Sequence, residues 1–132
     1  ICYELRVAGP AGERAFSRAG LEELDQVSAQ LPIACVEGWS ASGRWHGVRL
    51  RDLLDSVGAP RGRDVRITSL QAHGPYRVTT LPAAFADDPL TLLALGLDGE
   101  ALSIDHGYPC RLIAPDRPGV LQTKWVSRVD VL

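Results

Sequence analysis

The chain has 132 residues, with 14 basic and 16 acidic side chains and a formal net charge of −2. That length suits one domain able to bury roughly two-thirds of its unfolded surface without cross-links, and the near-balanced charge leaves no broad electrostatic case for nucleic acid. Hydrophobic residues at 45% and charged residues at 23% exclude a disordered tail or a coiled coil, and no apolar run approaches the roughly 20 residues of a membrane span.

Thirteen glycines and nine prolines cut the chain into short pieces, which favours strands over long helices. Cys2 to Ala8 reads as a strand with Tyr3, Leu5 and Val7 on one face, closed by Gly9-Pro10-Ala11-Gly12. Ser17 is placed to cap a short helix carrying Leu21 and Leu24. Val27, Ala29, Leu31, Ile33 and Cys35 alternate with other residues, the period of a half-buried strand. Glu37 to Gly47, rich in Gly, Ser and Trp, reads as a loop. At Val48 the period changes, because Leu50, Leu53, Leu54 and Val57 share one helical face, and Gly58 with Pro60 ends the helix. Further strands are expected over Val65–Leu70, Tyr76–Leu81, Leu92–Leu97, Tyr108–Ala114 and Val126–Leu132. Asp98-Gly99 suits a tight hairpin turn, and Pro82 to Phe85 suits one helical turn. The expected fold is a β-rich α+β domain with one clear helix.

Three cysteines are too few for a disulfide scaffold, and an odd number leaves at least one unpaired within the chain. Cys35 ends its strand before the turn Val36-Glu37-Gly38-Trp39-Ser40. A thiolate at such a rim suits a nucleophile or a soft-metal ligand; the alternative is a small buried hydrophobe. Cys2 and Cys110 sit on expected strands, either paired across a sheet or inert in the core. No C-x-x-C, H-E-x-x-H or H-x₃-H spacing occurs, which argues against zinc. His46, His73 and His106 each precede a glycine and so are assigned to loops. Around His106 the context is richer, since Asp105-His106-Gly107-Tyr108-Pro109 leads to Arg111, and Gln122-Thr123-Lys124-Trp125 follows. Cations converging on a Gly- and Pro-containing loop suit a phosphate; the alternative is a loop closing a barrel, with Arg111 and Lys124 as solvated charges.

Three stretches together resemble the molybdopterin-binding domain of the sulfite oxidase family, which includes sulfite oxidases, plant-type nitrate reductases and the periplasmic methionine-sulfoxide reductase catalytic subunit. Cys35-Val36-Glu37-Gly38-Trp39-Ser40 with Trp45-His46-Gly47-Val48 and Leu50-Arg51-Asp52-Leu53-Leu54 is similar to the family's cysteine segment, strand and helix. Asp105 to Leu112 resembles its D-H-G-(aromatic)-P-x-R-(apolar) signature. Pro115 to Gly119 and Lys124-Trp125-Val126-Ser127-Arg128-Val129 resemble its ending. The resemblance runs from about Tyr3 to Leu132.

The resemblance implies a β-rich, mixed-sheet α+β domain with a few short helices, and a molybdenum–molybdopterin cofactor. It implies that Cys35 ligates molybdenum, that His106 and Arg111 contact the pterin and its phosphate, and that Lys124 with the Gln122 and Thr123 backbone closes that pocket. Tyr76 aligns with a tyrosine of the substrate pocket, and Thr68 or Ser69 is placed near the cofactor. Cys35 and Tyr76 are thus the expected catalytic residues. The implied partners are a small-molecule oxo donor or acceptor and a haem or membrane electron carrier. The implied compartment is extracytoplasmic or membrane-tethered. The stretch after Cys35 departs from the sulfite oxidases, carrying Glu37 and no cation before Arg44 where they place a sulfite-holding arginine. C-V-E-G-W-S is closer to the sulfoxide reductases, and D-H-G-Y-P to the sulfite oxidases. The start at Ile1, without methionine or a signal-peptide pattern, reads as one cofactor domain, Ile1 to Leu132, cut from something longer. Two rival readings are a cofactor-free binding module retaining the fold and a thiol enzyme using Cys35 with a loop histidine.

Overall fold

The structure, a computed structural model, describes residues 3–34 and 40–132. The chain order is β1 (Glu4–Gly9), β2 (Gly12–Ser17), α1 (Arg18–Glu22), β3 (Val27–Ala34), β4 (Ser40–Arg49), α2 (Leu50–Ser56), β5 (Val65–Ser69), β6 (Val78–Leu81), α3 (Ala83–Ala86), β7 (Leu92–Leu97), β8 (Glu100–Ala101), β9 (Arg111–Ile113) and β10 (Val126–Val131). Two 3₁₀ turns, Ile104–His106 and Gly119–Leu121, flank β9. One sheet runs β2-β1-β10-β5-β6 and the other β3-β4-β7-β8, with β9 also on β7. β1 and β10 are parallel, Val7 opposite Val129, and the remaining pairs are antiparallel. The architecture is the mixed-sheet α+β class expected.

Alternation sets the faces. In β1, Leu5 and Val7 are buried, whereas Arg6 points outward to Glu4 and Glu13. Arg128 on β10 adds bonds to Glu13 and Asp130, a surface ladder that contributes little per pair. β7 is buried on both faces, which explains its unbroken apolar run. Leu93 and Leu95 enter the main core with Leu5, Leu53 and Leu112. Leu92 and Ala94 enter a second cluster with Leu31, Trp45 and Ile113.

Several expectations hold. Ser17 caps α1 through its side chain, accepting from the Gly20 N–H. α2 buries Leu50, Leu53 and Leu54, and its chain reverses at Gly58 with φ +73°. Asp98 and Gly99 both take positive φ, 53° and 86°, in the turn between β7 and β8. Others need correction. The expected loop Glu37–Gly47 is largely strand β4, which places His46 in a strand rather than a loop. Its glycines are there because β7 lies against them: a Cβ on Gly43 would sit 2.5 Å from Leu97 Cδ1, and one on Gly47 only 2.1 Å from the Leu93 carbonyl oxygen. β2 was missed because it is a polar edge strand in which Phe16 alone is buried. Tyr76 precedes β6 in a turn, and Cys110 stands just before β9 rather than within it.

Candidate functional site

Two loops and one strand end meet beside β10. Ser69, the last residue of β5, is buried. Its hydroxyl donates to the Lys124 carbonyl at 2.9 Å and accepts from the Gln71 N–H at 3.2 Å. The Leu70 N–H bonds the Trp125 carbonyl at 2.7 Å. Thr68 is half-buried, and its carbonyl accepts from the Ser127 hydroxyl at 3.1 Å. Tyr76 lies on the loop leaving Ser69, 43% exposed.

The D-H-G-Y-P segment folds as a 3₁₀ turn capped by Ser103. The Ser103 hydroxyl lies 2.7 Å from His106 Nδ1 and accepts from the His106 N–H at 3.2 Å, so it fixes the imidazole that sequence reading singled out. His106 itself is exposed. Gly107 takes φ +120°, and a Cβ there would meet Arg111 Cβ at 2.8 Å, so the motif's glycine is required on two counts. Its carbonyl accepts from the N–H groups of Cys110 and Trp125.

Arg111 is 5% exposed, not a solvated charge. Its Nε donates to the Gln122 carbonyl at 3.1 Å, and Nη1 and Nη2 reach the carbonyls of His106 and Gly119 at 3.4 and 3.5 Å. Its guanidinium carbon lies 5.6 Å from the centre of the Trp45 ring. One side chain therefore joins the His106 loop to the 119–122 turn. Gln122 and Thr123 are buried. The Gln122 amide closes the turn by accepting from the Ala114 N–H and donating to the Arg117 carbonyl. The Thr123 hydroxyl lies 3.4 Å from that of Thr79. Lys124 Nζ lies 5.7 Å from the centre of the Trp125 ring.

The structure thus brings together His106, Arg111, Gln122, Thr123, Lys124, Ser69 and Thr68, with Tyr76 on an adjoining loop. Cys35, with Val36 to Trp39, and Cys2 lie outside the described residues. His73 is exposed on the Tyr76 loop. Cys110 is a free, fully buried thiol, pushed up to about 12 by burial, against which a Tyr3 hydrogen bond and the Arg18 charge pull it down. Sequence reading missed Ser103, Trp45, Thr79 and Arg117. Ser103, three residues before His106, is a cap signal visible in the sequence; the others are brought in only by strand pairing and loop closure.

The chain matches the family model for the oxidoreductase molybdopterin binding domain over residues 2–132. It belongs to that family. It is 32% identical over 130 residues to a putative protein-methionine-sulfoxide reductase subunit YedZ1 of Azospira oryzae, covering 98% of this chain and 48% of that protein. It is 31% identical over 159 residues to the mitochondrial sulfite oxidase of Drosophila melanogaster, covering 98% of this chain and 27% of the relative. Among solved structures, the sulfane dehydrogenase SoxCD from Paracoccus pantotrophus superposes with a TM-score of 0.86 at 25% identity, covering 98% of this chain and 38% of that one. The chain therefore spans about half or less of the length of these relatives.

The donor chemistry of this molybdopterin-binding domain suits an anionic cofactor. Arg117 Nη1 is buried with no hydrogen-bond partner among the described residues, and burial lowers the pKa of its guanidinium. Arg117 is half-buried as a residue, and its one shielded nitrogen without a partner suits an anionic acceptor. Among the described residues no group of three or more His, Cys, Asp or Glu is placed to hold a metal ion, and no helix is long and apolar enough to cross a membrane.

Proposed function

We propose that residues 1–132 are the cofactor-holding domain of a longer molybdenum-dependent oxidoreductase, with the Cys35 thiolate as protein ligand to the metal. The observation that carries this reading is the meeting of the His106 loop, the 119–125 segment and the Ser69 end of β5, joined through the Arg111 guanidinium and the Ser69 hydroxyl. When bound, a molybdenum pyranopterin supplies two-electron redox chemistry coupled to oxygen-atom transfer. The chain's own residues bind and orient. Arg111, Arg117 and Lys124 offset the phosphate charge, and the Gln122 and Thr123 main chain closes around it. His106, steered by Ser103, contacts the pterin. Ser69 holds the Lys124 backbone in place, with Thr68 beside it, and Tyr76 lines the substrate pocket.

Glu37, in the stretch where sulfite-handling relatives keep a cation, would disfavour a dianionic substrate through charge repulsion where its side chain faces the pocket. A neutral sulfoxide is therefore the favoured oxo donor. Electrons pass to or from a haem or membrane partner, and an extracytoplasmic, membrane-tethered setting suits that exchange. The rival, a fold retained without cofactor, draws on one observation: Arg111 donates to three main-chain carbonyls and so has a structural use of its own.

The test is molybdenum and pterin content of the full-length protein made in a cofactor-competent host. Wild type is expected to carry both, and Cys35→Ser to lose the metal. Full molybdenum in the variant would overturn the ligand assignment, and neither component in wild type would favour the rival. Turnover of a neutral sulfoxide but not of sulfite is the expected substrate result.

A further inference from the structure

The His106 loop is also held by a residue outside every motif discussed so far. Arg18 opens α1, and its side chain is 19% exposed. Its Nε donates to the Pro109 carbonyl at 3.2 Å, Nη2 donates to the Leu95 carbonyl at 2.7 Å, and Nη1 pairs with Glu22 one turn along the helix. The guanidinium carbon lies 4.8 Å from the centre of the Tyr108 ring. A single planar fork thus ties α1, β7 and the Tyr108–Pro109 stretch together. A lysine, with one point charge, cannot reproduce that geometry.

We infer that Arg18 is a positioning residue for the cofactor loop. At one end of that loop Arg111 takes the His106 carbonyl; at the other Arg18 takes the Pro109 carbonyl and packs on Tyr108. The grips begin at His106 and enclose Gly107, whose carbonyl also receives the Trp125 N–H. Release of the Arg18 grip frees the loop to move, and with it the groups that meet the pterin phosphate. Arg18 therefore governs cofactor retention without touching the cofactor. The retention half of this inference rests on the proposed function; the grip on the loop does not.

The experiment compares wild type, Arg18→Gln and Arg18→Lys in the full-length protein, with amide hydrogen exchange on the cofactor-free form and pterin release on the loaded form. In Arg18→Gln the amides of His106, Gly107, Tyr108 and Cys110 should exchange about tenfold faster, as expected for the loss of charge-assisted bonds. Those of Val7, Ile67 and Val129 should be unchanged. Pterin fluorescence released on dialysis should rise by a similar factor, and Arg18→Lys should recover less than half of either effect. Unchanged exchange in the loop, or equal acceleration across both sheets, would overturn the inference. So would local acceleration with pterin release at the wild-type rate. If wild type carries no pterin, the proposed function fails, while the exchange data still decide whether Arg18 grips the loop.

Discussion

At the α2 corner, Arg51 meets two carboxylates, Asp55 at 2.8 Å and Asp87 at 2.7 Å. It also donates to the Ala59 carbonyl. In the 114–125 connection, Arg117 leans 5.6 Å over the Phe85 ring, reaches the Thr80 carbonyl at 3.4 Å, and leaves Nη1 without a partner among the described residues. The first arginine is neutralised inside its own corner, where the same Asp87 also accepts the Gly62 N–H. The second is half-buried and keeps one shielded nitrogen open to an acceptor among the described residues. A buried cation is therefore informative through its partners more than through its burial.

The largest effect should come from Arg51→Met, which strands Asp87 and the Ala59 carbonyl. A loss of about 3 kcal/mol in denaturant unfolding is expected for a broken, mostly buried pair, with pterin retention unchanged. A variant as stable as wild type would remove the contrast. A loss of similar size, reached by about pH 11, should appear as an alkaline limb centred on Cys110, which touches the site loop from the core side. Its folded pKa is raised to about 12, against about 8.5 in an unfolded chain. Its contribution is full below about pH 8.5 and lost as pH climbs toward the folded value, at about 1.4 kcal/mol per pH unit. Tyr3, also raised by burial, steepens the limb above about pH 10. Cys110→Ala should flatten the limb in unfolding curves taken across that range.

Acid should act on the other corner. Burial opposes the charge on Asp87, but the Gly62 N–H and Arg51 outweigh it and hold the carboxyl below its ordinary value. The stability it contributes is present above the unfolded pKa of about 4 and disappears as pH falls through the lower folded value. In Asp87→Asn that acid dependence should be missing. The smallest change in stability is expected for Arg117→Met, where loss of an unpaired buried donor should be neutral or stabilising by about 0.5 kcal/mol. Inorganic phosphate should raise the wild-type melting temperature and leave that of Arg117→Met unmoved. Equal phosphate responses would place the anion elsewhere.

Much of the architecture was legible from periodicity. Alternation marked β1 and β3, i, i+3, i+4 spacing marked α2, and β5, β6, β7 and β10 were named as strand candidates. These patterns reflect local geometry, because each side chain's face is set by its position along its own element. β4 escaped, since Gly43 and Gly47 read as loop residues until the close approach of β7 supplies their reason. At the site, the D-H-G-Y-P motif, Arg111 and Lys124 stood out in the sequence, and Ser103 was available as a cap.

What the chain determined by itself was most of its elements and the residue types that suit an anionic cofactor. Their meeting was a tertiary decision. Parallel pairing sets Val7 against Val129, Tyr3 reaches the Val126 carbonyl, and Arg18 closes on Pro109. Each joins segments about a hundred residues apart, and no local period carries such information. The contacts exist because two sheets must bury their apolar faces against one core, and the loops that close those sheets are thereby brought to a common place.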